Sequence, residues 1–321
     1  MWIPILLFAI GLILLIKGGD WFVDGASGIA KRFHVPEILI GATVVSIGTT
    51  LPEVMVSATS AISGHGEIAY GNAIGSVICN TALISALTLA IKPGTADKKA
   101  LRLPVAFFFA SAVIYSLTAY TSGYFSRAIG FILLAIFAVY IILNIFQAKK
   151  ISSTVKNENE EENSGSFIKE IVLLVVGAVF IALGAKLLVD NGTKIAEMMG
   201  VPESVIALTF VALGTSLPEL VTAVTSLIKG HGALSLGNII GANLFNLVLV
   251  SGVSVALNPF SIPTQKLVGS MNASLVIDIP VMFAVMLILT LPPLIKGKLS
   301  RWQGILLLAI YTAFCVFQFA F

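Results

Sequence analysis

Glu53 and Glu219 stand in two nearly identical strings, GTTLPE at 48–53 and GTSLPE at 214–219, and both strings lie inside long apolar stretches. Each glutamate follows a proline and comes four residues after a threonine. On a helix, Thr49 then faces the same way as Glu53, and Thr215 the same way as Glu219. Proline lacks an N–H and its ring opposes the carbonyl four residues back. Pro52 therefore frees the carbonyl of Gly48 and Pro218 that of Gly214, and both helices are expected to break there. Carboxylate, hydroxyl and freed carbonyl are hard oxygen donors of the kind Ca2+ takes, and two carboxylates balance the charge of one such ion.

After each string comes a second polar segment, GNAIGSVICN at 71–80 and GNIIGANLFN at 237–246. The Gly71/Gly75 and Gly237/Gly241 pairs make small-xxx-small faces, which allow close approach to the glutamate helices. Ser76 and Asn80 share a face, as do Ala242 and Asn246, so amide and hydroxyl oxygens are offered to the same place. A carboxylate at the bilayer centre costs about 2.5–3.5 kcal/mol and persists there only with a partner. None of the four segments contains Lys or Arg, so the expected partner is a mobile cation. Two protonated glutamates gluing helices together are the alternative. The symmetric recurrence of hydroxyl, proline and glutamate favours ligation.

The elements that carry these residues are membrane helices. The chain is 57% hydrophobic and 11% charged, against roughly 45–50% and 25% for soluble domains, so its solvent is mostly lipid. A helix needs about 20 apolar residues to cross the hydrocarbon core. Ten such runs are present, at 3–25, 37–62, 68–91, 102–121, 125–147, 167–189, 203–228, 234–256, 276–294 and 302–320. The fold class expected is an all-α membrane protein. The first run has no basic segment before it and no small-residue cleavage site after it, so it reads as a true span. Cys79 and Cys315 fall within spans and read as small buried hydrophobes.

The chain repeats itself. Glu219 − Glu53 is 219 − 53 = 166, and the same ungapped offset pairs Asp24 with Asp190 and Pro36-Glu37 with Pro202-Glu203. It also pairs Gly64-His65-Gly66 with Gly230-His231-Gly232, Gly71-Asn72 with Gly237-Asn238, and Asn80 with Asn246. Five spans per half is odd, so the second half enters from the opposite face and the repeats are inverted. The halves are 1–150 and 167–321, separated by an acidic cytoplasmic linker at 151–166 whose composition reads as solvated. Placing the N-terminus outside leaves only Arg127, Lys194 and Lys266 external and puts most other Lys and Arg inside. Both termini are then extracellular or periplasmic, in the cell membrane. The net charge of +3 is too small to indicate nucleic acid.

Other polar residues read as structural. His34, His65 and His231 fall in turns. Asp278, two residues before Pro280, reads as the N-cap of the ninth span. Lys17, Asp20, Lys186 and Asp190 lie toward span ends, where snorkelling accounts for the lysines.

On the two motif pairs GTTLPE with GNAIGS and GTSLPE with GNIIGAN, the chain resembles the sodium/calcium exchangers of the calcium:cation antiporter superfamily, in their short ten-helix form. The likeness covers all spans but not the linker. It implies that Glu53 and Glu219 are the central calcium and sodium ligands. It further implies that Thr49, Thr215, Thr50, Ser216, Ser76, Asn80, Asn246 and the backbone carbonyls of Ser46 and Ala212 surround them. Spans two, three, seven and eight would be broken around a midplane ion site, with spans one and six moving as a pair across them. Two residues depart from the family pattern: Asn246 replaces an aspartate of potassium-dependent relatives, so no potassium is expected, and Ala242 replaces a serine often used for sodium. The resemblance implies a transporter, not an enzyme, that exports Ca2+ against Na+ at three to one, with the ions as substrates, no cofactor and no obligate protein partner. A proton/calcium antiporter using the same glutamates is the alternative, and a cation channel a more distant one.

Overall fold

The computed structural model describes residues 2–156, 166–199, 214–264 and 266–320. Its helices are α1 (Trp2–Arg32), α2 (Glu37–Ile62), α3 (Gly66–Ile91), α4 (Lys98–Thr121), α5 (Arg127–Lys156), α6 (Phe167–Met198), α7 (Leu217–Ile228), α8 (Gly232–Leu257), α9 (Ser274–Lys296) and α10 (Arg301–Ala320). Eight of these are long and apolar enough to cross a membrane, and α7 is a shorter apolar helix. The rest of the seventh expected span lies outside the described residues. α5 runs through Lys156 into the segment read as linker, and residues 157–165 lie outside the described ones.

Burial sorts centre from rim. The most apolar stretch of α8 is 83% buried, with α3 at 72% and α2 at 61%, whereas α1, α5 and α6 stand at 22% each. The helices that carry the polar motifs are therefore central, and the rim helices turn residues such as Ile13, Phe131 and Val175 outward, where lipid suits them. Asp97 caps α4 by accepting the Lys99 N–H at 2.8 Å, and α9 ends at Gly297 in the left-handed conformation (φ 71), a common helix stop.

α1 and α6 form a pair held by glycines at heptad spacing. A Cβ built on Gly18 would lie 2.8 Å from the Ile181 nitrogen, one on Gly184 2.7 Å from the Leu15 nitrogen, and one on Gly177 2.5 Å from the Phe22 nitrogen. Backbone meets backbone along this seam, the geometry that small residues permit between membrane helices. Arg32 adds a two-pronged bond to Glu170, at 2.8 and 3.0 Å. The pair rests on the central helices through Phe22 beside Gly48 and Val189 beside Gly214. Lys229, at the end of α7, reaches back to Asp24 at 2.7 Å and Asp20 at 3.5 Å on α1, so Asp20 is an ion-pair partner and not merely a span-end residue.

Three helices contain one wide turn of π geometry just where polarity is highest: Gly41–Val45 in α2, Asn80–Ile84 in α3 and Asn246–Val250 in α8. The last two are related by 246 − 80 = 166. Such bulges leave carbonyls loosely bonded and recur at functional sites.

Two expectations are corrected. α2 does not break at Pro52, because its helical segment Ser46–Ile62 runs through the proline and tolerates the single missing bond. The second half differs: residues 215 and 216 form a turn, and Pro218 sits in the first turn of α7. Asp278 is not an N-cap either. It ends a fourth π turn, Ser274–Asp278, already inside α9, and it has helical dihedrals and no capping bond. A wide turn before Pro280 absorbs the missing N–H, so the helix starts earlier than the proline signals.

The Gly-His-Gly turns behave as read, with Gly64 and Gly230 both at φ +85, a conformation open to glycine. His231 also meets Glu37 at 2.6 Å, linking α8 to α2. Among the loops, Tyr124–Phe125 pairs with Phe260–Ser261, and Leu267–Val268 with Met271–Asn272.

Candidate ion-binding site

Glu53 comes from the middle of α2 and Glu219 from the first turn of α7, and both are 0% exposed. The two carboxyl groups lie within interaction range of each other, and that of Glu219 within range of Thr49 and Thr50, with the Thr50 hydroxyl 3.5 Å from Glu219 Oε1. Thr49, Thr50, Ser46 and Ser216 are buried around them. No ion pair among the described residues involves either glutamate.

Asn80 and Asn246, both fully buried, open the π turns of α3 and α8. The turn at Asn80 packs on α7 and the turn at Asn246 on α2, so each asparagine is brought to the glutamate helix of the other half. The Asn246 amide donates to the Ala242 carbonyl at 3.1 Å. Ser76 and Thr215 line a cavity that reaches Ser216. Ala212 lies outside the described residues.

Two further asparagines bind the halves together. Thr49 Oγ1 donates to Asn238 Oδ1 at 3.2 Å, and Thr215 Oγ1 to Asn72 Oδ1 at 3.4 Å. The 166 offset carries one bond into the other, since it pairs Thr49 with Thr215 and Asn72 with Asn238. Ser46 Oγ also bonds the Gly41 carbonyl at 2.8 Å and the Asn238 carbonyl at 3.0 Å. The repeat pairs Asn72 with Asn238, and sequence alone does not assign them this role. Their position one residue after the conserved-in-both-halves glycine was the available signal.

Buried polar groups are nearly always bonded, yet both oxygens of Glu53, Glu219 Oε2, Asn80 Oδ1, Asn246 Oδ1 and Ser216 Oγ have no hydrogen-bond partner among the described residues. A carboxylate left so in low dielectric is costly. A hard cation is the partner that oxygen acceptors without donors require. Among the described residues no three His, Cys, Asp or Glu cluster together, so two carboxylates supplemented by neutral oxygens are the donor set.

Fold and site together define a multi-pass membrane protein built around a buried cluster of oxygen ligands. The sodium/calcium exchanger protein family model matches residues 3–146 and 169–320. The chain is similar to the sodium/calcium exchanger MaX1 of Methanosarcina acetivorans, at 33% identity with 98% of each chain covered. It is also similar to the inner membrane protein YrbG of Escherichia coli, at 32% identity over 87% of each. Among solved structures, the sodium-calcium exchanger NCX_Mj soaked with Na+ and Sr2+ superposes with a TM-score of 0.82 at 34% identity, with 97% of each chain covered. The chain belongs to the sodium/calcium exchanger family. It is a membrane antiporter of the cation/Ca2+ exchange class.

Proposed function

We propose that the protein exports Ca2+ by admitting Na+, three for one, through alternating access at a single site centred on Glu53 and Glu219. Thr49, Thr50, Thr215, Ser216, Ser76, Asn80, Asn246 and the Ser46 and Ala212 carbonyls complete the ligands. The observation that carries this reading is the set of buried carboxylate and amide oxygens that meet no donor among the described residues where the two halves join. The 166 offset, the matched π turns and the matched threonine–asparagine bonds support two inverted five-helix repeats, 1–150 and 167–321. Exchange follows from charge. Two carboxylates without an ion are expensive to close away from water, whereas a loaded site is neutralised, so the closed state requires occupancy.

With Asn246 neutral, the site carries two negative charges: calcium is balanced, and three sodium ions leave one net positive charge. Sodium-driven calcium flux in vesicles at clamped pH is therefore expected to respond to membrane potential. Ala242 is fully buried beside Asn246, and Ala242→Ser is expected to raise apparent sodium affinity more than calcium affinity. Ala242, which lacks a hydroxyl, is also the residue that favours the second reading, a proton/calcium antiporter. Flux that ignores sodium in both proteins and follows a pH gradient would establish that reading instead.

The charge distribution supports external termini. A cysteine at Ser166 is expected to react with an impermeant thiol reagent only from the cytoplasm, and one at Ser122 only from outside. The reverse pattern would overturn the orientation.

A further inference from the structure

A cavity of about 510 Å3 runs from the segment between α8 and α9 to the central site, with Ser76, Thr215 and Ser216 at its inner end. At its outer end stand Lys266, Ser274, Asp278 and Gln318. Among the described lining residues, Asp278 is the one acid and Lys266 the one base. The π turn Ser274–Asp278 sets the carboxylate on this cavity.

Asp278 Oδ2 accepts from Ser274 Oγ at 2.8 Å and Oδ1 from Gln318 Nε2 at 2.9 Å. Each carboxylate oxygen has about two lone-pair sites, so one bond on each leaves acceptor capacity facing the cavity. The Lys266 ammonium does not use it. Its bonds go to the Phe317 and Gln318 carbonyls at the end of α10, at 3.3 and 3.0 Å, and to Gln318 Oε1 at 3.0 Å. Gln318 thus stands between the charges, accepting from the lysine and donating to the aspartate. The passage carries a carboxylate with acceptor capacity to spare and a separately anchored ammonium on the route to Ser216, whose own oxygen has no partner among the described residues.

We propose that Asp278 is a recruiting residue for divalent cations, holding them in this access cavity before they reach the central glutamates, and that Lys266 opposes it. The inference rests on the exchange reading above. Charges lining a cleft with low-dielectric walls concentrate counter-ions and change on-rates by about 10- to 1000-fold. At the lower end of that range, Asp278→Asn should raise the KM for calcium by about tenfold when calcium is supplied on the cavity's side, with the maximal rate unchanged. Lys266→Met should lower the KM, and the double variant should return toward the parent. These shifts should be largest at about 10 mM ionic strength, where the Debye length is about 30 Å, and shrink at about 0.15 M, where it is about 8 Å.

The test is calcium flux into vesicles of known orientation, with calcium titrated from each side at both ionic strengths. A purely structural Asp278 would lower the maximal rate, act from both sides, ignore salt and give the same sign for Lys266→Met; any of these overturns the proposal, as does an unchanged KM in Asp278→Asn. A parent that carries no calcium under any gradient overturns the functional reading and this inference with it, whereas a transporting parent with an indifferent Asp278→Asn overturns the inference alone.

Discussion

Glu53→Gln and Glu219→Gln are each expected to abolish calcium exchange and to weaken calcium binding by at least about a hundredfold. Glutamine keeps the shape and removes one of two charges. At an effective dielectric of about 20, a unit charge about 4 Å away contributes about 4 kcal/mol per charge on the ion, and each 1.4 kcal/mol is about tenfold in affinity. The fold should survive, because neither Glu53 oxygen holds a hydrogen bond that packing depends on. Without calcium or sodium, the glutamine variants should melt no lower than the parent, since a buried charge lacking a donor is lost. Calcium binding by calorimetry and melting in chelator separate the two effects. A variant that transports like the parent would remove Glu53 and Glu219 from the centre of the site.

Gly177→Val and Gly184→Val are expected to cost transport too, through packing instead of charge. The added Cβ would lie 2.5 Å from the Phe22 nitrogen in one case and 2.7 Å from the Leu15 nitrogen in the other. Backbone cannot rotate aside, so α1 and α6 must separate. Overpacking of this kind costs about 1–3 kcal/mol, and flux should fall more than tenfold because the pair no longer seats Phe22 against Gly48 and Val189 against Gly214. Gly94→Ala, which meets nothing within 4 Å among the described residues, is the matched control. Equal flux in all three variants would show that the seam has no part in transport.

The glutamates were legible because a carboxylate inside an apolar run is conspicuous, and the threonines because helical spacing places them on the same face. The repeat was legible because a single ungapped offset aligns both halves. The π turns were not, since no residue type announces a five-residue turn and tertiary packing selects it. Pro52 and Pro280 misled for one reason: a proline signals a missing hydrogen bond, but the chain absorbs that loss within a continuing helix or a wide turn as readily as by stopping. The glycine seam is not legible although Gly11 and Gly18 recur as Gly177 and Gly184, because glycine is common in membrane helices and its spacing alone does not say which helix it packs against. Lys229 and its aspartates could not be paired from sequence, because the contact depends on how α1 crosses α7.

Those charged contacts have a thermodynamic consequence. Two identical halves in opposite orientation would make the outward-open and inward-open forms equivalent by a two-fold rotation and equal in energy. The 166 offset places Ser63 opposite Lys229, Met198 opposite Arg32 and Pro4 opposite Glu170, so neither ion pair has a counterpart at the other end of the molecule. On the alternating-access reading proposed above, in which α1 and α6 shift across the core, the Lys229 bonds to α1 would favour the one form that contains them. Half-exposed pairs contribute up to about 1 kcal/mol each, and one or two kcal/mol changes a two-state ratio by about 5- to 30-fold. On that reading, a few surface charges would lift the degeneracy of a duplicated fold and bias which face the resting protein presents.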